Sequence, residues 1–288
     1  MKCLNRKLTD LKSLLLFSLL MFIIIPEANA WSNGGSWSQS PSSPTIGTHD
    51  WIAEKAVGLL PANEATIFRD NMNWLKYGTE LPDRPRDLGG YGDTFNHHVY
   101  FDGNHRVIDD SAAARANETY HEALSLLKKG NFSGGVMLAG ALSHYISDMA
   151  VFGHIMGADS PWGVEHHHAD YEGYVNEHQY LFENSIALIA PLGCTSVYQE
   201  TLDLAFNTMF TEPNATWMDA NYGWNNFEFK ARVGNSLNRA VNSVANVLHT
   251  LWLDAGRPIP EFQPILTPII VMVAVITLFL TRYIMRRE

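Results

Sequence analysis

The sequence predicts an all-α fold, built as a single multi-helix domain over residues 31–257. Apolar residues recur at helical spacing in several long segments, and no alternating run is long enough to compel a sheet. Turn-forming clusters of Pro, Gly and Asp separate the helical segments, while no repeat or composition shift divides the stretch from 46 to 257. One core is within reach of a chain of this length.

The elements follow in order. Residues 1–30 combine a basic start (Lys2, Arg6, Lys7, Lys12), an apolar run over 14–25 and the small-x-small triplet Ala28-Asn29-Ala30. That is the pattern of a secretory signal peptide, and the apolar run is short for a membrane span. Cleavage after Ala30 makes Trp31 the first mature residue. Residues 31–45, rich in Ser, Gly and Pro, are expected to be irregular. Residues 49–60 have helical periodicity through Trp51, Ile52, Ala56, Leu59 and Leu60, and Pro61 opens a second helix over 62–77. Residues 78–102 read as loop, 111–129 as an amphipathic helix ending at Gly130, and 136–153 as an apolar helix. After a turn at 161–165, helices are expected over 169–182, 196–210 and 225–253, the last with Val233, Leu237, Val241, Val244, Val247, Leu248 and Trp252 on one stripe. Pro258 and Pro260 mark a boundary, and residues 265–284 are apolar and long enough to cross a bilayer. Arg286 and Arg287 favour a cytoplasmic C-terminus for such a transmembrane helix.

The formal charge is −10, and the first thirty residues hold four basic and two acidic groups, so the processed chain stands near −12. This balance disfavours nonspecific attraction to nucleic acid backbones. Of the two cysteines, Cys3 leaves with the signal, and Cys194 alone permits neither an intrachain disulfide nor a thiolate metal cluster. Asn117, Asn131 and Asn214 stand in glycosylation-acceptor patterns.

The chemistry concentrates on Ala141-Leu-Ser-His144-Tyr-Ile-Ser-Asp148-Met-Ala-Val-Phe-Gly-His154. Imidazoles and a carboxylate are costly in an apolar helix unless paired or bound to metal. His144 and Asp148 share a face at i,i+4, and His154 follows Gly153, where the helix can stop. Taken alone, the pair is better explained as a satisfied core histidine capped by a carboxylate. His49, Asp83, the adjacent His97 and His98, and the second i,i+4 pair His168–Glu172 widen the set. Twelve histidines and many carboxylates without a useful cysteine suit borderline metals held by nitrogen and oxygen.

Trp31 at the mature N-terminus, His49-Asp-Trp-Ile-Ala-Glu-Lys-Ala, Asp83, His98-Val-Tyr, His144-x3-Asp148-x5-His154 and His168-x3-Glu172 together resemble the zinc-dependent bacterial phospholipases C. Their wider superfamily includes the S1/P1-type nucleases. The resemblance implies three Zn2+ ions. Asp83, His98, His144 and Asp148 would hold one. The amino and carbonyl groups of Trp31, His49 and a bridging Asp148 would hold the second, and His154, His168 and Glu172 the third. His98 is preferred to His97 because the following aromatic then falls in register. The activity implied is hydrolysis of the glycerol-side phosphodiester of a phospholipid, with Asp83 or Glu172 as general base. Glu172 as the last carboxylate, and the short gap from His154 to His168, favour this over single-stranded nucleic acid as substrate. A surface protein that binds zinc without turnover is the reading from another class. Phe95 matches an aromatic that choline-selective members place near the substrate. Arg84 stands where an aromatic is expected, and Trp31-Ser-Asn-Gly-Gly-Ser-Trp lacks the expected acid, which disfavours a quaternary-ammonium cage. Arg84 is instead a candidate contact for phosphate or an anionic headgroup, or else a side chain that simply faces solvent.

Pro260-Glu261-Phe262, the apolar span and the basic end resemble PEF-CTERM sorting signals of archaeal surface proteins. Such a tail implies a sortase-like processing enzyme; unprocessed, the span is a membrane anchor. Both alternatives put residues 31–257 outside the cytoplasm, secreted or at the cell surface.

Overall fold

The computed structural model describes residues 36–93 and 95–257, and within them the chain is mostly helical. The expected signal peptide, Trp31, the Pro-Glu-Phe motif and the apolar span lie outside the described residues. Among the described residues no helix is long and apolar enough to cross a membrane.

Helix α1 (Thr48–Leu59) begins where the Gly47 N–H donates to the Asp50 carboxylate at 2.8 Å. The single helix expected over 62–77 is instead two, α2 (Ala62–Asp70) and α3 (Met72–Thr79). Asn71 makes the break: its side-chain amide donates back to the Ile67 carbonyl at 2.9 Å and its φ of −117° leaves the helical range. Asparagine competes in this way for backbone partners, which apolar periodicity does not register. The loop that follows contains a two-stranded antiparallel hairpin, β1 (Tyr100–Phe101) with β2 (Val107–Asp109). Asp102 closes its turn by accepting the N–H groups of Asn104 and Arg106, both at 2.8 Å. Strands this short carry no readable alternation of their own.

Helix α4 (Ser111–Lys128) ends at Gly130, whose φ of 76° favours glycine. Helix α5 (Phe132–Asp148) starts four residues before the expected 136, because the Asn131 side chain caps it by accepting the Gly134 N–H at 3.1 Å. It also ends five residues short of 153, with a separate 3-10 turn at Phe152–His154. Helix α6 (His168–His178) passes into a 3-10 segment, Gln179–Ser185. Then come α7 (Val197–Phe210), the short α8 (Ala215–Ala220) and α9 (Phe227–Asp254). Asn214 caps α8 by accepting the Trp217 N–H at 3.0 Å. Two of the three glycosylation-type asparagines, Asn131 and Asn214, thus serve as helix caps.

Helix α5 runs through the middle, packed on α1, α3, α4 and α9, and its residues from Gly135 onward are almost all buried. Its approach to α3 depends on two glycines. A Cβ at Gly78 would stand 1.9 Å from the Met137 carbonyl oxygen, and one at Gly140 would stand 2.0 Å from that of Leu75. The expected stripe of α9 is buried throughout, from Val233 to Trp252. Each such side chain contributes roughly 1.5–3 kcal/mol by leaving water. On another face of α9, Asn238 and Asn242 accept the N–H groups of Ala187 and Ile189 at 2.9 Å, fastening an extended segment along the helix.

Candidate metal centre

The close α3–α5 contact brings the last turn of α5 against the end of α3 and the start of α1. His144 Nδ1 donates to the Thr79 carbonyl at 2.7 Å, which turns Nε2 towards Asp148 and Asp83. His49 Nδ1 lies 2.9 Å from the Ser147 hydroxyl, which itself donates to the His144 carbonyl at 3.1 Å. That hydroxyl therefore accepts from Nδ1–H, and His49 Nε2 is left as a lone pair 3.5 Å from Asp148 Oδ1. The His49 and His144 rings stack at 3.7 Å.

Asp148 is wholly buried at the C-terminal end of α5, where the helix dipole already presents partial negative charge. Its Oδ2 meets His97 Nδ1 at 2.7 Å and His144 Nε2 at 3.4 Å; its Oδ1 faces His49 and, at 3.7 Å, His154 Nε2. Asp83 Oδ1 stands 3.6 Å from His144 and 3.7 Å from His97. Beyond His154, Glu172 Oε1 lies 3.4 Å from His154 Nε2 and 2.9 Å from His168 Nε2. Gly153 is required here, because a Cβ would fall 2.3 Å from the His168 ring.

Three sets of donors are thereby gathered among the described residues: His49, His144 and Asp148; Asp83, His97 and His144; and His154, His168 and Glu172. Ligands about 2.0–2.2 Å from a tetrahedral ion stand roughly 3.3–3.6 Å apart, close to most of these separations. Four polar atoms of the cluster, His49 Nε2, Asp148 Oδ1, His154 Nε2 and Glu172 Oε2, are buried without a hydrogen-bond partner. Orphaned buried lone pairs are expensive, and a cation at each set relieves them. The nitrogen and oxygen donors fit zinc.

The structure gathers His49, Asp83, His144, Asp148, His154, His168 and Glu172, all expected from the sequence. It brings His97, and not His98, to Asp83, His144 and Asp148. His98 instead lies with Nδ1 3.3 Å from the Phe95 carbonyl and packs on Tyr100. Phe95 is 82% exposed on the loop leading to His97. Arg84 is only 8% exposed, its guanidinium 3.9 Å from Glu80 and over the Tyr77 ring, so its immediate partners are protein groups. Residues missed by sequence reasoning are the supporting ones. Asp93 accepts the His97 Nε2 proton on its carbonyl at 2.6 Å, Glu165 faces His168 Nδ1 at 3.3 Å, and Asp219 accepts the His166 N–H at 2.9 Å.

Burial holds His49 and His154 well below the usual histidine range, keeping them neutral and ready to ligate. Burial also opposes charge on His97 and His168, but Asp148 outweighs it for the first, raising it to about 9. Glu172 and Glu165 do so for the second, raising it to about 10. Burial pushes Glu172 itself up to about 7, although His168 pulls the other way. Both raised histidines lie above the unfolded value of about 6.5. Their contribution to stability without metal is therefore full below that pH and is lost as pH rises through about 9 and 10. Metal needs the unprotonated rings. Zinc loading near pH 7 is expected to release about two protons per chain from His97 and His168 and a further fraction from Glu172, with affinity rising towards pH 9. A zinc titration in dilute buffer with a pH indicator checks this, and loading without proton release contradicts it.

A mostly helical domain with His and carboxylate sets converging at the end of a buried helix defines the class, a helical metal-site protein. The chain belongs to the zinc dependent phospholipase C family, whose sequence pattern it matches over residues 48–243. No curated protein matches it in sequence. Among solved structures it is similar to the alpha toxin of Clostridium absonum, with a TM-score of 0.53 and 16% identity over 76% of this chain and 66% of that one. It is also similar to the alpha-toxin of Clostridium perfringens from an avian strain, at a TM-score of 0.46, 16% identity, and 74% and 65% coverage. The chain thus spans just under two thirds of the length of those toxin chains, and at 16% identity the likeness to the Clostridium absonum toxin is one of fold. The family takes its name from zinc-dependent phospholipase C activity.

Proposed function

We propose that the protein is a zinc-dependent phosphodiesterase that hydrolyses the glycerol-side phosphodiester of phospholipids, releasing diacylglycerol and a phosphorylated headgroup. The observation that carries the reading is the convergence of three donor sets with four orphaned buried atoms on one wall of the fold. One set would comprise Asp83, His97, His144 and Asp148; a second His49 and Asp148, with the amino group of a processed Trp31; the third His154, His168 and Glu172. Bound zinc supplies Lewis-acid stabilisation of the phosphoryl oxygens and water acidified to a pKa of about 7.

The chain's own residues supply the rest. Asp83 takes the proton of the attacking water. Of the three ligand carboxylates its side chain is the most open to solvent, 17% against 0% for Asp148 and 2% for Glu172, so it can pass that proton outward. Glu172, enclosed by His154 and His168, serves as a ligand. Attack at phosphorus breaks the bond to the glycerol oxygen, which takes a proton from solvent water and leaves as the alcohol. Phe95, exposed beside the His97 loop, offers an apolar contact for lipid. The basic start, the apolar run at 14–25 and the apolar span at 265–284 support an extracytoplasmic enzyme tethered to, or released from, a membrane surface.

The test is a parallel assay of phospholipid vesicles, a bis-aryl phosphodiester and single-stranded DNA, with and without chelator. Diacylglycerol release that chelator stops and zinc restores is the expected result. Preferential DNA cleavage would turn the reading to an S1/P1-type nuclease. Full zinc content with no turnover of any substrate would leave a non-catalytic zinc-binding surface protein.

A further inference from the structure

We infer that Glu165 is a positioning residue for His168, accepting its Nδ1 proton and so holding Nε2 towards Glu172 and His154. The inference rests on reading His154, His168 and Glu172 as a metal-holding set. Glu165 Oε1 lies 3.3 Å from His168 Nδ1, while Glu172 Oε1 lies 2.9 Å from Nε2 on the opposite side of the ring. The two ring nitrogens therefore face different carboxylates. Only Glu172 also meets His154, at 3.4 Å. A histidine that ligates metal through one nitrogen commonly donates the other N–H to a carboxylate, which fixes the tautomer and makes the free nitrogen a better donor.

The backbone around Glu165 is built to present it. Gly163 adopts a φ of 77° and pairs with Gly157 in an isolated bridge, so the chain turns just before Val164 and Glu165. Immediately afterwards Asp219 of α8 accepts both the His166 N–H and the His167 Nδ1 proton at 2.9 Å. His167 also stacks on Tyr222 at 4.3 Å. Glu165 is thus held between a fixed turn and an anchored helix start, ahead of α6. On its other side the His168 ring rests against the bare backbone of Gly153. A carboxylate meeting His168 only as a passing surface ion pair would need neither anchor.

The test measures zinc held by the processed protein that begins at Trp31, by competition with a chromogenic chelator, for wild type, Glu165→Ala, Glu165→Gln and His168→Ala. His168→Ala is expected to lose one zinc equivalent. Glu165→Ala should weaken that same equivalent about 10–100-fold and leave the other two unchanged. Glu165→Gln keeps the volume and an accepting oxygen, and should fall between; its loss, confined to the same equivalent, remains readable if the alanine variant folds poorly. Wild-type affinity for all zinc in both Glu165 variants, beside a deficient His168→Ala, would overturn the role of Glu165 alone. Equal zinc content in wild type and His168→Ala would overturn the third metal set and the inference with it.

Discussion

Replacing Asp148 with asparagine is expected to abolish turnover, by at least about a thousand-fold, which is about 4 kcal/mol in the barrier. It should also reduce bound zinc below the wild-type content. Both carboxylate oxygens are used: Oδ2 faces His97 and His144, and Oδ1 faces His49 and His154. An amide replaces one of those oxygens with an NH2 group that has no lone pair to offer. The substitution is nearly isosteric, so an effect on folding is a poor explanation for the loss. It would also strip the charge that holds His97 protonated without metal, and the change in proton release on loading gives a second readout. Elemental analysis with steady-state kinetics decides the matter. An asparagine variant with full zinc content and near-normal turnover would remove Asp148 from the centre of the site.

The parts of this site that spacing alone makes readable are those that helices hold, whereas His49, Asp83 and His154 were readable as ligands only through the family resemblance. His144 with Asp148, and His168 with Glu172, are four apart on α5 and α6, and helical geometry alone puts each pair on one face. The buried stripe of α9 was readable for the same reason, over 28 residues of consistent periodicity. What could not be read depends on contacts distant in sequence or on short local bonds. The carbonyl of Thr79 orients His144 across a separation of 65 residues, through the glycine contact between α3 and α5. Asp219 lies on α8, whose six residues are too few for a period to emerge. The break between α2 and α3 comes from one asparagine amide. Ligands in loops are the hardest case, since no repeat sets which of two neighbours points inward.

His97 and His98 are that case. Replacing His97 with alanine is expected to lower turnover at least about a hundred-fold and to loosen zinc, while the same change at His98 leaves zinc content intact and activity within about ten-fold. The reason is a period of two. Leading into β1, burial alternates: His97, Val99 and Phe101 are buried at 4%, 0% and 2%, while His98 and Tyr100 between them are only partly so. Successive side chains of an extended strand point to opposite faces. The residue that shares a face with core Val99 and Phe101 is therefore the one that reaches the carboxylates. Aligning the histidine by the aromatic that follows it chose the outer face instead. The inward choice is then locked from behind. Asp93 accepts the N–H groups of Phe95 and Asn96 and the Tyr145 hydroxyl, and its carbonyl takes the His97 Nε2 proton, leaving Nδ1 to face Asp148. The alternation His-x-Val-x-Phe was present in the sequence, but over five residues it weighs little until β2 pairs with it. Equal loss of zinc from both alanine variants, or loss from His98→Ala alone, would mean that the loop turns over when metal binds and that the inward register described here is not the one that holds zinc.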